Sequence, residues 1–149
     1  MAAMPDLTPG DGQDLYARFK AARERRDVDR MLALFRDDAE YRADPFEPVL
    51  TGDVAIRSYW TDVAAAQANV EFDVERLWVV GRTVLANWHV AFTRRSSAER
   101  VRERGFTTME LDESALVTRC RVWAVSRTVG TDSSFTVEPE TDPGGPDGR

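Results

Sequence analysis

The chain has 149 residues, of which 42% are hydrophobic and 31% charged. That fits one globular domain able to bury a core without disulfides or metals. The formal charge of −6 sits mostly at the C-terminus, where residues 130–149 hold five acids against Arg149; the body is near neutral, with no dominant basic face, which argues against nucleic acid as a partner. Cys120 is the one cysteine, so no intrachain disulfide can form, and a reducing, cytoplasmic setting is expected. No apolar run approaches the roughly 18 residues of a membrane span, and Met1 to Gly12 lacks the apolar centre of a signal peptide.

Residues 1–12 are polar and broken by Pro5, Pro9 and Gly10, and are expected to be flexible. Leu15, Phe19 and Ala22 then share one helical face. After a break at Arg26-Asp27, the spacing of Val28, Met31, Leu32 and Phe35 predicts a second short helix with Asp27 as N-cap. Ala39 to Asp44 reads as a short strand stopped by Pro45 and Pro48. Ile56, Tyr59, Trp60 and Val63 mark a third helix, with Thr51 or Asp53 as its cap.

From Asn69 the period changes from 3.6 to 2. Val70, Phe72 and Val74 alternate with acids; after a turn at Gly81-Arg82, Val84, Ala86, Trp88, Val90 and Phe92 form one apolar face. A third long strand runs from Arg100 to Leu111. The last alternates Leu116, Thr118, Cys120, Val122 and Ala124, expected inward, against Val117, Arg119, Arg121, Trp123 and Val125. Helices gathered on one face of an antiparallel meander predict an α+β fold. The domain is expected over residues 13–129, followed by a disordered acidic tail over 130–149.

Particular stretches are similar to a known superfamily. Leu34-Phe35-Arg36-Asp37-Asp38-Ala39 resembles the segment closing its second helix. Asp44-Pro45-Phe46 and Gly52-Asp53-Val54-Ala55-Ile56-Arg57-Ser58-Tyr59-Trp60 resemble its strand, loop and third-helix entry, and Arg121-Val122-Trp123 resembles its Arg-Glu-Trp ending. Over residues 13–128 the chain thus resembles the nuclear transport factor 2-like, SnoaL-like proteins. The resemblance implies a cone-shaped curved antiparallel sheet packed on three N-terminal helices around a small pocket, frequent homodimerisation, and no cofactor. It does not imply one reaction, because the superfamily holds isomerases, cyclases, dehydratases, epoxide hydrolases and non-enzymatic carriers.

Ketosteroid isomerases of this superfamily keep a base aspartate just before a proline, a position resembling Asp44-Pro45. Their oxyanion tyrosine and buried acid correspond by counting to Phe19 and Thr107. A phenyl ring donates no hydrogen bond and threonine is a far weaker acid, so the isomerase assignment is rejected. Where many relatives place an inward glutamate, this chain has Val122, making the pocket drier.

Asp44 is therefore the candidate catalytic carboxylate, against the plain alternative that Asp-Pro forms a turn. Glu103 shares parity with Thr107 and Met109 and points either into the pocket or to its open rim. Phe19, Tyr41, Tyr59, Trp60, Trp88, Val90, Met109, Cys120 and Val122 are expected to line the pocket or simply fill the core. The sole histidine, His89, falls on the face away from the helices with no companion ligands, so no metal site is expected. Two functions stay open: a cofactor-independent acid–base enzyme acting on a small apolar ligand, and a non-catalytic binding or dimerisation module. Whether Asp44, Glu103 and Thr107 converge on one cavity separates them. An outward face carrying Leu85, Val117, Trp123 and Val125 predicts a homodimer.

Overall fold

A computed structural model describes residues 4–137. Helix α1 spans Pro9–Arg25, α2 Val28–Leu32 and α3 Asp53–Ala66; the strands are β1 Phe35–Arg42, β2 Leu50–Thr51, β3 Gln67–Val80, β4 Thr83–Arg94, β5 Glu99–Leu111 and β6 Val117–Thr131. The strands form one curved sheet in the order β2-β1-β6-β5-β4-β3. All neighbours are antiparallel except β1 and β6, which run parallel, so the sheet is mixed rather than purely antiparallel. The parallel pair arises because the long excursion from β1 through α3 and the meander returns β6 to the free edge of β1.

Order begins earlier than the expected residue 13. The Thr8 hydroxyl accepts from the Asp11 amide, and the Asp11 carboxylate accepts from the Thr8 amide, a reciprocal capping box with Pro9 in the first turn. Leu7 is buried and its amide donates to the Gly81 carbonyl at 2.9 Å, so the stretch before the helix is tied to the sheet. The helix ends at Arg26 in the left-handed conformation, φ 53°.

Asp27 caps α2 as expected, accepting from the Arg30 amide at 3.1 Å. Phe35, read from its spacing as a helical residue, instead opens β1. Its backbone pairs with Val117, and its ring packs edge-on to Tyr41 at 5.9 Å. The third helix is capped by Gly52, φ 92°, rather than by a Thr51 or Asp53 side chain.

The inward faces of β3, β4 and β5 follow the period-2 pattern: Val70, Phe72, Val84, Ala86, Trp88, Val90, Thr107, Met109 and Leu111 are all buried. In β6 the register shifts between Glu110↔Arg119 and Leu111↔Val117. One extra residue on the bulged strand flips parity, so Val117 is fully buried and Thr118 half-buried, the reverse of the sequence expectation. From Cys120 onward the expected parity holds, with Cys120 buried and Trp123 exposed.

The cut expected at residue 130 falls inside the fold. Beyond β6, the Asp132 carboxylate accepts from Thr93 and from Asn69 (2.9 Å), its amide donates to Ala98 at 2.7 Å, and Arg95 lies over the Phe135 ring at 5.7 Å. Residues 138–149, the rest of the expected tail, lie outside the described residues. Hydrogen bonds from Ser134, Thr93 and Asn69 hold the Asp132 carboxyl well below the ordinary value of 3.8. A depressed carboxyl stabilises the fold above its unfolded value and loses that contribution as pH falls. Asp132→Ala is therefore expected to melt lower than wild type at pH 7, and the gap to shrink progressively below pH 3.8 in thermal scans.

Candidate functional site

Between α1, α3 and the concave face of the sheet lies a cavity of about 250 Å³. It is slightly smaller than the ~300 Å³ at which drug-sized sites begin. Helix periodicity aims Tyr16, Phe19 and Arg23 of α1 into it, at i, i+3 and i+7. Tyr59, Trp60 and Val63 enter from α3, and Trp88, Glu103, Thr107, Met109, Cys120 and Val122 from the inward positions of β4 to β6.

The walls are aromatic. Phe19 packs on Phe72 at 5.2 Å and edge-on to Trp60 at 6.0 Å, while Tyr41 meets Tyr59 at 5.2 Å. The Trp88 indole lies flat over Gly105, its register partner, where any Cβ would come within 2.6 Å of the indole Cε2. That rest positions Trp88 Nε1 to donate to Thr107 Oγ1 at 2.7 Å in a fully buried bond.

Of the residues expected to line the pocket, Phe19, Tyr41, Tyr59, Trp60, Trp88, Glu103, Thr107, Met109, Cys120 and Val122 do so. Val90 does not: it is buried in the core behind the wall, next to Phe72 across the ladder. Asp44, Glu103 and Thr107 border one and the same cavity. Asp44 stands at the mouth. Its side chain is exposed, Oδ1 accepts from the Phe46 amide at 2.9 Å, and its carbonyl accepts from Glu47 at 3.0 Å, so it also forms the turn. Oδ2 has no partner among the described residues.

Glu103 lies deeper and is half-buried. Its carboxylate makes no hydrogen bond or ion pair among the described residues. Burial holds it above the usual glutamate value, and the Arg23 guanidinium opposes part of that effect. Burial likewise raises the phenols of Tyr41 and Tyr59 and the Cys120 thiol, so all three are neutral near pH 7.

Several lining groups are not legible in the sequence, among them Tyr16, Arg23, Gln67, Phe72 and Ser126. Arg23 is 9% exposed, donates from Nη1 to Gln67 Oε1 at 2.7 Å, and stacks 5.6 Å above the Trp60 ring. Its signal was positional: a cation four residues after Phe19 on an otherwise apolar helical face. Gln67 ends α3 and opens β3. Phe72, legible in the sequence only as one of the alternating apolar positions of its strand, also faces the cavity. Tyr16, three residues before Phe19, brings to the cavity a phenolic hydroxyl that the match to Phe19 does not anticipate. The hydroxyl is buried next to Thr107 without a hydrogen bond of good geometry.

His89 is half-exposed on the convex face, 3.1 Å from Glu75, as its parity predicts. Among the described residues, no group of three His, Cys, Asp or Glu side chains is placed to hold a metal, and no helix is long and apolar enough to cross a membrane.

No curated protein matches the chain by sequence. Solved structures match its fold. An epoxide hydrolase/cyclase-like enzyme, SalBIII, involved in pyran ring formation in the polyether salinomycin, superposes with a TM-score of 0.72 at 17% identity, covering 80% of this chain and 97% of its own. An epoxide hydrolase of the LEH-like type from Mycobacterium tuberculosis gives 0.66 at 18% identity, covering 78% and 84%. The protein RV0760c from the same organism gives 0.70 at 13% identity, covering 81% and 99%. At these identities the likeness establishes the curved-sheet cone and not the chemistry. The sequence profile of the SnoaL-like domain matches residues 16–120, and the chain belongs to the SnoaL-like domain family.

Proposed function

We propose that the protein is a cofactor-independent acid–base enzyme that opens a small, mostly apolar substrate at a polarised carbon–oxygen bond, an epoxide being the simplest case. The observation that carries this reading is the placing of two carboxyls of opposite environment on one aromatic cavity. Glu103 is partly buried, unpaired and shifted toward its neutral form; Asp44 is exposed at the mouth with Oδ2 free. Divergent environments divide acid from base. Glu103 protonates the substrate oxygen as the carbon–oxygen bond breaks. Asp44 takes the proton from the attacking water or hydroxyl as the new bond forms, and solvent exchange resets both. The epoxide chemistry of two structural neighbours supports this choice of bond.

Turnover of styrene oxide to its diol, followed by chromatography, tests the proposal. Glu103→Gln and Asp44→Asn are each expected to lose about 10²–10⁴-fold in kcat/KM with the fold intact. Full activity in either variant removes that residue from the mechanism. If Asp44→Asn instead unfolds its loop and no epoxide is turned over, the turn made by Asp44 is its whole role and the pocket belongs to a binding module.

The same reading includes a homodimer. Trp78, Phe106 and Trp123 run as an aromatic stripe across the convex face, with ring centroids 6.4 and 6.3 Å apart, and Val125 beside them is 76% exposed. Val117, expected to contribute to that face, is buried in the core instead, and Leu85 is half-buried. Trp123→Glu is expected to convert a dimer to a monomer by light scattering at micromolar concentration; a wild-type monomer refutes the assembly.

A further inference from the structure

We infer that the cavity takes a small carboxylic acid, its carboxylate docked on the Arg23 guanidinium and its apolar body against Phe19, Trp60 and Phe72. This deepens the proposed function by naming the substrate class, and it rests on the cavity being a ligand site.

The first argument is the state of Arg23. It is nine-tenths buried, yet its only polar partner among the described residues is the neutral Gln67 carbonyl oxygen, which uses one of five donors. A guanidinium does not shed its proton, so this charge is permanent, and a buried charge without a counterion is costly. Arg42 and Arg82, only half-buried, hold backbone carbonyls instead, and two further arginines of low exposure meet carboxylates. Arg121, 16% exposed, meets Glu40 at 2.8 Å, and Arg100, 22% exposed, meets Glu71 at 3.6 Å. The complement a guanidinium fork matches best is a planar two-oxygen acceptor.

The second argument is the cavity's inventory of unused polar atoms. Trp60 Nε1 is buried without a partner, and Tyr16 Oη, beside Thr107, makes no hydrogen bond of good geometry. Trp60 can only donate, and Tyr16 has a proton to give. Together with the free guanidinium N–H groups they form a donor-rich wall that calls for acceptors on the ligand, and a carboxylate offers four lone pairs. Glu103, the acid facing the same cavity, forms no hydrogen bond or ion pair with Arg23 and acts on it only at longer range, leaving the guanidinium's donors free. Its lean toward the neutral form lowers the repulsion an incoming carboxylate meets. The aromatic faces suit an apolar ligand body such as an aromatic ring.

Calorimetric titration of the full chain with 3-phenylpropionate and with its neutral isostere 3-phenylpropionamide decides the point. The acid is expected to bind about tenfold tighter or more, and Arg23→Gln to remove that preference while leaving the amide's affinity unchanged. Should Arg23→Gln fail to fold, Arg23→Lys keeps the charge and loses the fork; it is expected to weaken the acid and spare the amide. Equal affinities, or a preference that survives Arg23→Gln, overturn the inference. If neither probe binds while styrene oxide is turned over, the carboxylate inference falls and the acid–base reading stands. Absence of both binding and turnover sinks both.

Discussion

Gly105→Ala is expected to destabilise the protein by about 3 kcal/mol, the upper end of what overpacking one methyl group costs. The glycine needs no unusual backbone angle; it is a strand residue whose absent side chain leaves room for the Trp88 ring. A methyl there overlaps rigid aromatic atoms, and the ring is boxed by Phe72 at 5.7 Å on its other side and tethered to Thr107 through Nε1. Relief requires Trp88 to leave its rotamer, which breaks a buried hydrogen bond and moves one wall of the cavity. Urea denaturation should therefore show a lower midpoint with an unchanged slope, and tryptophan fluorescence should shift as the indole environment changes. The companion change Trp88→Leu removes the ring, so Gly105→Ala in that background is expected to cost far less. A cycle showing additive effects would falsify the coupling between glycine and indole.

Gly105 also shows where sequence reading stops. Period-2 alternation revealed the inward faces of three strands, because a half-buried sheet needs that alternation whatever lies beneath it. It could not show that a glycine amid charged residues seats a tryptophan from the neighbouring strand, since register between strands is a tertiary fact. The bulge that reverses Val117 and Thr118 is invisible for the same reason: one inserted residue leaves local composition unchanged. Arg23 was missed on different grounds. Hydrophobic periodicity registers apolar side chains, and a buried cation on the same helical face is skipped by construction. Leu34 to Ala39 and Gly52 to Trp60 carried the family because they fix turns and helix entries, which depend on local residues. The distribution of polar groups around the cavity depends on α1, β1, α3 and four further strands meeting, and Tyr16, Arg23, Gln67 and Ser126 are the members that periodicity does not place there.

Glu103→Gln is expected to make the protein more stable at pH 8 and nearly inactive. Burial holds the Glu103 carboxyl above the ordinary 4.5, so the folded state keeps this proton at a pH where the unfolded chain has lost it. Stability from this group is thus full below 4.5 and is lost as pH rises through the folded value. Above that point the native state carries a half-buried carboxylate with Arg23 nearby but out of contact. Glutamine fills the same volume without that charge, so the variant should melt together with wild type at pH 4 and higher than wild type at pH 8. A gain of ~1 kcal/mol, the low end for an imperfectly solvated polar group, corresponds to a rise of about 2–4 °C for a domain of this size. Catalysis should move oppositely. A general acid works only while protonated, so wild-type kcat/KM on an epoxide should decline with rising pH through the value at which the stability difference opens, and the variant should be nearly inactive throughout. Coincidence of the two transitions ties the stability cost and the catalytic proton to one carboxyl. A variant less stable than wild type at pH 8 would mean that the Glu103 carboxylate serves as counterion to Arg23 across the cavity, and would leave the reaction without its acid.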